Sequence, residues 1–255
     1  MGLTPQQARA AGLDLWAASR QFTKTLIHRE AGLATGLLVG MVARSRALLR
    51  AAYALADEGY ELEAMLQVRA LNEYAITARW FVLDADYHAL LIAIDDLKAR
   101  LRIDREVQQH GGEQILTAES KARDEAKLAE FLEQCGERRK ELPPLIQRAE
   151  AAGMMLYYSL AYRSDSQAAA HPSLWAVEQF TEEEPDGSGL VVHDGVAPGR
   201  SVTNPYQAGV VPFYLTLLTF AEAADDTRLA EALAEISRRV DGVLGHWNPP
   251  DVDDQ

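Results

Sequence analysis

Apolar residues recur at three- and four-residue steps through most of this chain, and that spacing predicts helices. Thr4–Pro5 opens the first, which carries Leu13, Trp16, Phe22 and Leu26 at mixed three- and four-residue steps and runs about 20 residues. A second spans about Glu30–Glu58, is rich in alanine and leucine, and sets Gly32, Gly36 and Gly40 four apart, a spacing that predicts close approach of a neighbouring helix. Gly59 supplies its stop. The third covers Glu61–Leu83, and Asp84 or Asp86 is placed to cap a fourth that passes Leu90, Ile94, Leu97 and Leu101 toward Gly111–Gly112. Residues 113–141 are mostly charged and read as a solvated helical arm with a thin seam of Leu116, Leu128, Phe131 and Leu132. Pro143–Pro144 opens a short helix that leads through Gly153 into another over Tyr157–Ala170.

After His171–Pro172 the period changes. LWAVEQF, the turn-rich EEEPDGSG and LVVH read as a β-hairpin over about 173–194. Two helices follow, about Pro205–Ala224 and Thr227–Trp247, the second amphipathic through Leu229, Leu233, Ile236, Val240 and Leu244. The pattern predicts one all-α domain over residues 1–248, a helical bundle of seven or eight helices around the third helix and the 157–170 helix, with one inserted β-hairpin. The tail 249–255, PPDVDDQ, is expected to be disordered.

Composition narrows the function classes. The longest uncharged apolar runs, Ala31–Ala43 and Gln207–Ala221, fall short of the roughly 20 residues that cross a bilayer, so no membrane is expected. A single cysteine, Cys135, and an N-terminus without the export-signal pattern point to the cytoplasm. With 38 acidic and 25 basic residues the net charge is −13, which opposes sequence-independent attraction to phosphate backbones but leaves room for an enzyme that grips one nucleic-acid segment. The six histidines show no ligand spacing, and no P-loop, GxGxxG or GxSxG is present, so neither metal nor cofactor is expected. His28 and His88 read as surface or helix-end residues, and Asp57, Glu58, Glu61 and Glu63 as solvent-facing.

Two stretches carry candidate chemistry. On the third helix Leu62, Leu66, Arg69, Glu73, Ile76 and Trp80 share one direction, so Arg69 and Glu73 need each other or further partners. The other stretch, YYSLAYRSDSQAAAHP over Tyr157–Pro172, places Ser159, Tyr162 and Ser166 along one face with Arg163 beside them. Pro172 turns His171 out of the helix end, where the helix dipole and a nearby arginine push its pKa in opposite directions, toward the range useful for acid–base work. Arg163 can hold a phosphate or carboxylate on two oxygens while His171 moves a proton. A plainer alternative is that the same residues lock helices together.

The pairing of VRALNEYAITARWF with YRSDSQAAAHPS resembles a bacterial all-helical family, domain of unknown function five-six-seven-seven, with an Arg-x-x-x-Glu helix and a Tyr-Arg…Ser…His-Pro segment. Arg69 and Glu73 fall in the first motif; Tyr162, Arg163, Ser166, His171 and Pro172 fall in the second. More distantly the chain resembles HEPN domains, helical bundles whose arginine and histidine form a metal-independent ribonuclease site, usually across a dimer. Here Arg163 and His171 have seven residues between them, more than that pattern keeps, and the helix break before Pro172 is what would bring them together. The resemblance implies RNA as partner, a defence or toxin role, Arg163 and His171 as catalytic residues, and Arg69, Glu73, Tyr162 and Ser166 as binding residues. The glycine-spaced second helix and the charged arm each offer a surface for a homodimer. The competing expectation is a non-catalytic regulatory or interaction module in which these residues form a structural network.

Overall fold

Helix α1 (Pro5–Leu26) begins on a reciprocal cap: the Gln7 amide donates to Thr4 Oγ1 at 3.2 Å, and the Thr4 amide donates to Gln7 Oε1 at 2.9 Å. Pro5 at the first helical position needs no partner for the amide hydrogen it lacks. The structure, a computed structural model, describes residues 2–26, 32–162, 181–183, 190–192, 203–240 and 244. Helix α2 (Leu33–Asp57) follows and stops at Gly59, whose φ of +83° suits glycine and few other residues. Helix α3 (Glu61–Phe81) ends two residues earlier than the sequence suggests, in a 3₁₀ turn over Val82–Asp84, and α4 (Ala85–Gln109) continues from it.

Asp84 precedes α4 but its side chain makes no cap; its carboxylate pairs with Arg138 at 2.6 Å instead. Helix α5 (Ala118–Cys135) returns along α4 as the charged arm. Thr117 caps it by accepting the Ser120 amide at 3.1 Å, and buried Asp104 of α4 ties the turn by accepting the Ile115 and Leu116 amides, each at 3.0 Å. Leu116, Leu128, Phe131 and Leu132 are half-buried, as a thin seam requires.

Two short helices bring the chain back to α3: α6 (Leu145–Ala151) and, after Gly153 at φ +67°, α7 (Met155–Tyr157), which widens into a π turn over Tyr158–Tyr162. Strands β1 (Thr181–Glu183) and β2 (Leu190–Val192) pair antiparallel with Thr181 opposite Val192. This pairing takes in Glu182 and Glu183, which the sequence assigns to the connecting loop; the expected first strand, 174–180, and residues 184–189 lie outside the described residues. Helices α8 (Pro205–Ala223), capped by Asn204 on the Tyr206 and Gln207 amides, and α9 (Thr227–Arg239), capped by Asp226 on the Leu229 amide, close the bundle.

The fold is an all-α bundle. Among the described residues helix α3 packs chiefly on α2 and α8, and the part of the 157–170 segment that is described, up to Tyr162, also lies against it. Leu49 of α2, Val68, Leu71, Ile76 and Phe81 of α3, and Phe213, Leu217 and Phe220 of α8 are fully or almost fully buried in one cluster. The five apolar residues expected to seam the last helix, Leu229 to Leu244, are buried too. Among the described residues no helix is long and apolar enough to cross a membrane.

Candidate functional site

Tyr157 fixes the segment that carries the second motif. It is buried, and its hydroxyl donates to Asn72 Oδ1 of α3, so the π turn that follows is laid against that helix. Five residues further along, the Tyr162 hydroxyl accepts a hydrogen bond from Arg69 Nη2 at 3.1 Å while the guanidinium carbon sits 5.3 Å from the ring centroid. Tyr158 and Tyr162 stack with centroids 5.3 Å apart. Asn72 and Arg69 are three residues apart on α3, so one helical turn presents both partners. Arg163, Ser166, His171 and Pro172 lie outside the described residues. Ser159 is described and exposed.

Arg69 and Glu73 do not pair. Among the described residues no ion pair joins them: the guanidinium reaches Tyr162, and Glu73 lines a cleft on the neighbouring face. The stripe is displaced from where the sequence puts it. Leu66 is 40% exposed, and the residues most deeply buried on α3 are Ala64, Val68, Leu71, Ala75, Ile76, Ala78 and Phe81, so Arg69 and Glu73 stand half-buried at the margin of the core. There each charge retains some water, and Arg69 takes Tyr162 as the further partner that the sequence allows in place of Glu73.

The cleft has a volume of about 370 Å³. Helix α2 contributes Gly36, Leu37, Gly40 and Met41; α3 contributes Glu73, Tyr74 and Thr77; Ile92, Leu142 and Arg148 complete it. Arg148 is mostly removed from water, donates from Nη1 to Thr77 Oγ1 at 2.7 Å, and has its guanidinium carbon 6.0 Å from the Trp80 ring centroid. Burial pulls its pKa down, and the charge of Glu73, with that of Asp95, opposes the shift. The glycines overturn a sequence expectation: among the described residues no heavy atom stands within 4 Å of where a Cβ on Gly36 or Gly40 would be. They line the open side of the cleft, and among the described residues no neighbouring helix squeezes them.

A second polar cluster escaped the sequence reading. Asp57 faces solvent as expected, and it also accepts from Arg9 Nε at 3.2 Å and Nη2 at 2.8 Å, and from the Tyr206 hydroxyl. These bonds hold its pKa below the usual carboxylate range, the Arg9 bond most of all. Buried Tyr53 donates to the Ala8 carbonyl at 3.3 Å, and burial raises the pKa of its hydroxyl. The cleft bounded by Arg9, Trp16, Arg50, Tyr53 and Asp57 measures about 360 Å³. His88 stands at a helix end, in the first turn of α4, but not at the surface: it is buried, stacked on Trp80 with centroids 3.8 Å apart, and its Nδ1 lies 3.2 Å from the Phe81 carbonyl. Desolvation lowers its pKa. No local signal marks these contacts, because Arg9 and Asp57 are 48 residues apart and Tyr206 and Asp57 are 149 apart.

No curated protein and no solved structure matches the chain. A family model does, over residues 35–188, which is more than half of the sequence and takes in most of α2, all of α3 and the whole Tyr-Arg…His-Pro segment. The chain belongs to the Family of unknown function (DUF5677).

Proposed function

We propose that the protein is a metal-independent ribonuclease of HEPN-like type, acting in the bacterial cytoplasm in a defence or toxin role. The observation that carries this reading is the Arg69–Tyr162 bond, which brings the first motif against the residue next to Arg163. RNA carries its own nucleophile in the 2′-hydroxyl. In the proposed reaction the 2′-oxygen bonds to the adjacent phosphorus, the bond from phosphorus to the 5′-oxygen breaks, and a 2′,3′-cyclic phosphate forms. One proton leaves the 2′-oxygen and one arrives on the 5′-oxygen; His171 moves one of these protons. Arg163 holds the phosphate oxygens, Arg69 with Tyr162 and Ser166 binds alongside, and charge that builds on phosphorus is met by fixed donors. Glu73, turned toward the other cleft, is left out of this step. A homodimer, which the HEPN likeness implies, would complete the site from two copies.

The competing reading is a regulatory or interaction module in which the same residues fix helix packing. Two observations favour it: the Tyr157–Asn72 and Arg148–Thr77 hydrogen bonds are cross-links between distant segments that a structural network would need. One experiment separates the two. Purified protein is incubated with total RNA and with tRNA, with and without chelator, beside Arg163→Ala and His171→Ala, and melting is measured on each. Chelator-resistant cleavage that both variants lose at unchanged melting supports the enzyme. No cleavage by the wild type, with a lowered melting temperature for His171→Ala, overturns it in favour of the structural network.

A further inference from the structure

The cleft between α2, α3 and α6 contains one charge of each sign, and they do not neutralise each other in contact. Among the described residues Arg148 gives one hydrogen bond, from Nη1 to Thr77, and its Nε, sealed from water, meets no acceptor. Among the described residues no carboxylate comes within 4 Å of this guanidinium; Glu73 and Asp95 act on it only through space. A guanidinium has five N–H donors, so beyond the Thr77 bond and the sealed Nε the terminal nitrogens keep donors that gain from an acceptor brought into the cleft. Glu73 stands one helical turn from Thr77 on the same side of α3, about 6 Å along the axis.

We propose that this cleft binds a small zwitterion of amino-acid type with an apolar side chain, its carboxylate on Arg148 and Thr77 and its ammonium on Glu73. The sign of each partner follows from the residue it meets. A phosphate or other multiply charged anion is disfavoured, because Glu73 and Asp95 both face the same guanidinium. A molecule that brings its own cation turns Glu73 from a repulsive neighbour into a partner. The apolar side chain lies along Leu37, Met41, Ile92 and Leu142, over the floor left open by Gly36 and Gly40. A volume of about 370 Å³ is in the range of clefts that hold small ligands, about 300–1,000 Å³. The inference goes beyond the ribonuclease reading and does not rest on it, since no RNA enters its test.

Calorimetric titration of the full chain tests it, with L-leucine and L-phenylalanine as probes. Beside them go the matched acids without the amine, 4-methylpentanoate and 3-phenylpropanoate, and the matched amines without the acid. Binding of at least one amino acid is expected, with a loss of about tenfold or more when either charge is removed from the probe. Arg148→Met and Glu73→Gln should each weaken binding by a similar factor. Arg148→Met also loses the Thr77 bond, so Gly40→Leu serves as the second variant: it fills the open floor, should melt no lower than the wild type, and should abolish binding. The proposal is overturned if the acids without an amine bind as tightly as the amino acids, if Gly40→Leu binds normally, or if no probe binds at millimolar concentration.

Discussion

Helix α2 is flanked by two polar clefts of nearly equal size, about 360 Å³ toward α1 and about 370 Å³ toward α3 and α6. In the first, the one carboxylate is already satisfied: both Asp57 oxygens are engaged by Arg9, Tyr206 adds a hydroxyl, and the other cation, Arg50, lies over the Trp16 ring. In the second, Arg148 and Glu73 face the same space without touching, and two glycines leave the wall bare. Volume alone would rank them equal. What separates them is whether the hydrogen-bonding capacity is already used, and a group with unused capacity is the one a ligand can engage.

The sharpest way to break this comparison is a methyl group placed on each side. A Cβ at Gly12 would stand 2.0 Å from Tyr53 Oη, a side chain that is itself buried, so Gly12→Ala should cost about 1–3 kcal/mol in denaturant unfolding. Gly40→Ala meets nothing among the described residues and should stabilise the protein by about 0.5–1 kcal/mol, the ordinary gain for replacing glycine inside a helix. Equal effects from the two would show that the clefts are packed alike.

A smaller effect reads the flank of the second cleft. His88 stacks under Trp80, the ring that Arg148 overlies, and its pKa in the folded protein lies below the ordinary value near 6.5 because burial disfavours the cation. The unfolded chain therefore takes up more protons than the folded one as pH falls below about 6.5, and stability should decline across that window. His88→Gln should flatten the slope between about pH 6.5 and the lowered folded pKa. An unchanged slope would mean that the imidazole is not shielded. The smallest effect belongs to Asp57, whose pKa is depressed by Arg9 and Tyr206. Its stabilising share is complete above the unfolded value near 3.9 and disappears only as pH falls through the folded value. Because Arg9 and Asp57 are over two-fifths exposed, Asp57→Asn at neutral pH should cost under about 1 kcal/mol.

Helix ends are legible because their chemistry is local: Thr4 and Pro5 write a start, to which the structure adds the Gln7 side of the cap, and Gly59 and Gly111, at φ +83° and +77°, write stops. The glycine repeat was misread because spacing places Gly36 and Gly40 on one face without saying what the face meets. The face of α3 was drawn too far toward Leu66 for a similar reason, since a helix with apolar residues on most sides gives its direction poorly. Asn72 with Tyr157 and Thr77 with Arg148 lie 85 and 71 residues apart, and contacts of that range leave no mark in either neighbourhood. Arg148 in particular sits in the short helix after Pro143–Pro144, seven residues long, where the sequence singles out no side chain.

The most direct test of the account is a single oxygen. Tyr162→Phe keeps the ring, its stack on Tyr158 and its position over the Arg69 guanidinium, and removes only the atom that accepts from Arg69. RNA cleavage and melting are measured together on this variant. If the convergence of the two motifs serves catalysis, chelator-resistant cleavage falls about tenfold while stability changes by about 1 kcal/mol or less. Undiminished cleavage, or a wild type that cleaves no RNA at all, would contradict it.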